Sequence, residues 1–120
     1  MQVQVNTGNG VENKEALDRW AYEFLNEALA RFRQELTRVE VQFTDENRAK
    51  GGADDKHCML EARLTGHEPV AVNKYAPTQD EAIRGATTKL IRALERTLGK
   101  LERHEHRDRD TIRKSESPVG

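Results

Sequence analysis

Met1 to Asn6 alternates apolar and polar positions, with Val3 and Val5 on one side and Gln2, Gln4 and Asn6 on the other. A period of two predicts a half-buried strand. Thr7-Gly8-Asn9-Gly10 then supplies a turn, because Gly and Asn tolerate positive φ. From Asn13 to near Glu35 the period changes. Leu17, Trp20, Ala21, Phe24, Leu25, Ala28, Leu29 and Phe32 form one broad face, which predicts an amphipathic helix. Asn13 is the expected N-cap, and Glu15 and Asp18 suit the positive end of the helix dipole. This helix holds the only tryptophan and two of the three phenylalanines. Its aromatic stripe reads as core rather than as a ligand box, since such residues mostly lie inside.

Alternation returns over Arg38 to Thr44, with Val39, Val41 and Phe43 inward, and over Cys58 to Thr65, with Cys58, Leu60, Ala62 and Leu64 inward. A last strand is expected over Glu68 to Tyr75, with Val70 and Val72 inward. Asp45 to His57 is polar, with Gly51-Gly52 at its centre, and reads as a hairpin loop. Pro77 ends the strand region. Thr78-Gln79-Asp80-Glu81 is a capping box with Glu81 at N3, and it opens a long helix reaching about Arg103. At about 100° per residue, Ile83, Leu90, Leu94, Leu98 and Leu101 fall on one narrow stripe.

The order is therefore β-α-β-β-β-α. The three later strands follow short connections and should pair antiparallel. The first helix is a crossover, so the strands it joins should be parallel and adjacent or nearly so. Every strand and both helices have one apolar face. Two helices on one face of a four-stranded mixed sheet, an α+β fold, bury all of them. The other sheet face, with Gln2, Gln4, Glu40, Gln42, Glu61 and Arg63, should stay wet. One domain over 1–103 is expected, followed by a disordered tail over 104–120 whose mixed charge leaves little to bury.

Charge changes this picture at the last helix. The chain is nearly neutral, at −1, which argues against a general nucleic-acid coat. From Arg84 to Arg103, however, six residues are basic and two acidic. Lys89, Arg92, Arg96, Lys100 and Arg103 line the side opposite the leucines, while Glu95 and Glu102 stand off that stripe. A helix needing only solubility would interleave its charges. The competing reading is a solvated face whose cations suit the helix C-terminus.

Catalytic chemistry finds no support. No serine precedes Ser115. His57 and Cys58 are neighbours on an expected strand, so they point to opposite faces. Asp45, Glu46, Asp54 and Asp55 do not match a calcium-loop spacing, and His104 and His106 at i,i+2 diverge on a helix. No enzyme activity, metal or cofactor is expected. At 35% apolar and 34% charged the core must be thin. The opening MQVQVNTG lacks the regions of a secretory signal, and no apolar run reaches membrane-spanning length. A soluble cytoplasmic protein without a membrane partner or small-molecule substrate is expected.

The strand MQVQV, the strand RVEVQFTDE, the hairpin CMLEARLTG and the helix ending KLIRALERTLGKL together resemble the ribosome hibernation-promoting factor family, also called ribosome-associated inhibitors. The resemblance spans about residues 1–103 and does not reach the dimerisation domain of long members, so a short form is expected. It implies a fold related to double-stranded-RNA-binding domains. It also implies binding to the small ribosomal subunit and its ribosomal RNA in the decoding region, blocking transfer and messenger RNA under stress or in stationary phase. Lys89, Arg92, Arg96, Lys100 and Arg103 are the residues expected to meet RNA phosphates. Family members commonly carry an aromatic residue early in this helix, around the position of Arg84. The alternatives are a protein-interaction module working through the open sheet face, and a free double-stranded-RNA binder.

Overall fold

The computed structural model describes residues 1–8, 11, 13–45 and 55–112, with side chains described as far as residue 99. The chain runs β1 (Gln2–Thr7), α1 (Lys14–Ala28), a 3-10 turn (Ala30–Phe32), β2 (Leu36–Asp45), β3 (Lys56–Leu64), β4 (Val70–Ala76) and α2 (Gln79–Ile112). The strands form one sheet in the order β1-β2-β3-β4. β1 pairs parallel with β2, placing Gln2 opposite Arg38 and Thr7 opposite Phe43. β2 with β3 and β3 with β4 are antiparallel. This is the expected β-α-β-β-β-α arrangement. The parallel pair follows from α1, which carries the chain back along the sheet before β2 begins.

The period-two pattern sets which face each strand buries. On β3, Cys58, Leu60, Ala62 and Leu64 are buried, while Met59 and Arg63 are exposed. Val39, Val41 and Phe43 of β2 join them in one core. Both helices cover this face, α1 mainly over β1 and α2 over β3 and β4. Ile83, Leu90 and Leu94 have no exposed surface, and Leu98 packs half-buried against the same cluster. The opposite face is wet. There Glu40 and Glu61 stand directly across from each other, a repulsive arrangement. Arg38 lies 3.1 Å from Glu40 and Arg63 lies 3.5 Å from Glu61, which offsets it.

Three local details depart from the sequence reading. The regular part of α1 stops at Ala28, and the apolar face continues through buried Leu29 and Phe32 in a 3-10 turn. The tighter turn keeps those side chains on the core while redirecting the chain into β2. Asn13 precedes α1 in the left-handed region at φ 54° and makes no side-chain cap hydrogen bond. α2 continues through Gly99 to Ile112, past the stretch its leucines marked out. Residues 113–120 of the expected tail lie outside the described residues, as do 46–54 of the expected loop. At the base of that loop Lys56 bridges Asp55 at 3.1 Å and Asp45 at 3.2 Å. Its hydrogen bonds to Asp55 and Asp45 hold its ammonium above the usual lysine range.

Thr78 caps α2 as the sequence indicates, while the Glu81 carboxylate meets its hydroxyl rather than its backbone N–H. The Glu81 backbone N–H donates to the Thr78 hydroxyl at 3.1 Å, and that hydroxyl donates to the Glu81 carboxylate at 3.2 Å. Thr78→Ala is expected to cost about 1 kcal/mol, read as a lower urea midpoint at unchanged slope. An unchanged midpoint would show that the cap contributes nothing to α2.

Candidate nucleic-acid interface on the second helix

Leucines turned to the sheet leave α2 with two flanks and an outer face. One flank lies over the edge strand β4. There the helix comes close: a Cβ placed on Gly85 would fall 2.9 Å from Lys74 Cγ, so glycine permits the approach. One turn on, Lys89 Nζ donates to the Asn73 carbonyl at 3.0 Å. A lysine held on an outer strand also guards its open edge against pairing with another chain.

The other flank faces α1. Arg84 pairs with Asp80 one turn earlier on α2, and its guanidinium lies over Trp20 at 5.4 Å and over Phe24 at 5.2 Å. Those two rings stack on each other at 5.1 Å. The planar guanidinium thus extends the pair of stacked rings. Further along the flank, Glu95 pairs with Arg31 beyond the end of α1. The carboxylate that could neutralise the outer face is thereby drawn aside.

Arg92 and Arg96 remain on the outer face. Both are exposed. Among the described residues neither has an ion-pair or hydrogen-bond partner, and at i,i+4 spacing they lie one above the other. Of the five residues singled out in the sequence, these two stand open to a partner and Lys89 is tethered to β4. The backbone of α2 runs on through Lys100 and Arg103, whose side chains lie outside the described residues. Sequence reasoning did not foresee the part played by Arg84. Its partners Trp20 and Phe24 lie more than fifty positions away, so no local spacing could reveal the stack.

Cys58 is wholly buried, and burial pushes its thiol up to about 12, far from the thiolate a nucleophile needs. Among the described residues no three His, Cys, Asp or Glu side chains gather as metal ligands. No described helix is long and apolar enough to cross a membrane.

The described residues thus form one layer of helices on a four-stranded sheet, with Arg92 and Arg96 exposed on α2. The chain belongs to the sigma 54 modulation protein / S30EA ribosomal protein family, which it matches over residues 4–102. This is the hibernation-factor family of ribosome-associated proteins. Among solved structures it is similar to a ribosomal subunit interface protein from Coxiella burnetii, at 20% identity and a TM-score of 0.62. The match covers 82% of this chain and 99% of that one, and at this identity the likeness is one of fold. None of the curated proteins matches it in sequence.

Proposed function

We propose that this chain docks on the small ribosomal subunit in the decoding region, contacts ribosomal RNA phosphates through α2, and suppresses translation under stress or in stationary phase. The observation that carries this reading is the exposed ladder of Arg92 and Arg96, without a partner among the described residues, on a helix whose Glu95 is engaged by Arg31. Guanidinium groups fork onto phosphates and stack on RNA groups without reading sequence. Family membership supports the ribosome as partner, and the description of the Coxiella relative as a subunit interface protein points the same way. Lys89, Lys100 and Arg103 extend the contact along the helix. On this reading the protein works in the cytoplasm.

The test is co-sedimentation with purified small subunits over a salt series, beside gel shifts on a plain RNA duplex. Binding should be confined to the subunits and fall steeply as salt rises, because each phosphate contact releases counterions. Affinity indifferent to salt would instead favour a protein partner on the open sheet face, where Met59 and Tyr75 are exposed. Equal affinity for the duplex would favour a free duplex binder.

A further inference from the structure

The two helices lie over different parts of the sheet, α1 over β1 and α2 over β3 and β4. Between them runs a trough of about 410 Å³ lined by Trp20, Glu23, Phe24, Glu27 and Arg84. Trp20 also lines an adjoining recess of about 350 Å³ that extends toward Asp80 at the start of α2. Trp20 and Phe24 are therefore half-buried rather than sealed in the core. Their stacked rings, extended by the plane of Arg84, make an apolar floor.

The rim has a definite sign. Arg84 and Asp80 neutralise each other. Glu23 and Glu27, one turn apart on α1, are exposed and have no partner among the described residues. Two uncompensated carboxylates thus overlook an aromatic floor. Phosphate would be repelled here, in contrast to the outer face of α2. An occupant that fits must bring positive charge to the rim and an apolar group to the floor.

We propose that this trough docks a basic segment of a partner protein, a peptide carrying lysines or arginines on either side of one bulky apolar side chain. The apolar anchor covers Trp20, and the flanking cations meet Glu23 and Glu27. Aromatic floors with charged rims are where such anchors give most of their binding energy. The surface is separate from the arginine ladder, so one molecule can hold RNA on one side of α2 and a basic protein segment on the other.

Trp20 is the only tryptophan in the chain, so its fluorescence reports occupancy of the trough directly. The probe is a synthetic peptide of lysine, arginine and leucine, titrated beside a matched peptide with glutamate in place of the cations and beside oligo-uridine. The cationic peptide should shift Trp20 emission saturably and more weakly as salt rises. The double variant Glu23→Lys with Glu27→Lys should raise its Kd by about tenfold or more, with helical circular dichroism unchanged because both positions are exposed. Three results would overturn the proposal: no saturable shift, the same Kd in the double variant, or the same shift with oligo-uridine. The variant leaves Arg92 and Arg96 intact, so small-subunit co-sedimentation tests the ribosomal proposal independently.

Discussion

Replacing Arg92 and Arg96 together by glutamate is expected to lower affinity for small ribosomal subunits by about a hundredfold or more. A hydrogen bond to a charged group contributes about 1.5–3 kcal/mol, so losing two removes about 3–6 kcal/mol. Every 1.4 kcal/mol is about tenfold, and reversing the sign adds repulsion from the same phosphates. The salt dependence should also become shallower by about two contacts' worth of slope. The fold should survive, since both side chains are exposed and hold no described partner. Lys89→Ala is the informative comparison. Its ammonium is held by the Asn73 carbonyl, so its loss should weaken binding less than either arginine. Co-sedimentation of the double glutamate variant that matches the unaltered protein across the salt series would remove α2 from the interface.

Phe43→Ala should be the most damaging single change to stability, at about 3–5 kcal/mol. Phe43 is completely buried in β2, between Thr7 of β1 and Cys58 of β3. Neighbours on both sides fix its surroundings, so a cavity there cannot close easily. A domain's whole stability is about 5–15 kcal/mol, so this one substitution brings the chain near its limit. Thermal unfolding should fall by roughly 4 °C for each kcal/mol lost. Met59→Ala on the same sheet provides the control. Met59 is 37% exposed on the wet face, and its loss should cost under about 0.5 kcal/mol. Comparable losses at the two positions would mean that the sheet faces have been assigned the wrong way round.

The strands were legible because alternation is a local property: on β3, Cys58 to Leu64 reads inward and outward without knowledge of what lies above. The start of α2 was legible for the same reason, since Thr78 and Glu81 satisfy each other within one turn. What stayed hidden depends on distant partners. The apolar periodicity of α1 placed Trp20 and Phe24 in the core with Leu25. Only the placement of α2 beside α1 shows that Leu25 is sealed while the rings border a trough. The basic stripe of α2 reads as uniform on a helical wheel. It divides into a tethered Lys89 and an arginine pair without a partner among the described residues only when β4 is placed beside it. The sequence also offers Asn13 as a side-chain cap, whereas its left-handed backbone turns the chain without one.

The parallel register between the first two strands has a consequence for the order of assembly. Gln2 meets Arg38 and Thr7 meets Phe43, so each partner lies 36 positions downstream. Strand β1 therefore has nothing to pair with until the crossover helix and β2 have left the ribosome. The antiparallel hairpins that follow close over shorter spans and at lower entropic cost. Strand β1 is thus made before its partner and closes over a longer span than either hairpin. A bulky group attached ahead of β1 would therefore burden the strand with the longest closure, while β2, β3 and β4 would keep the pairings of their own hairpins.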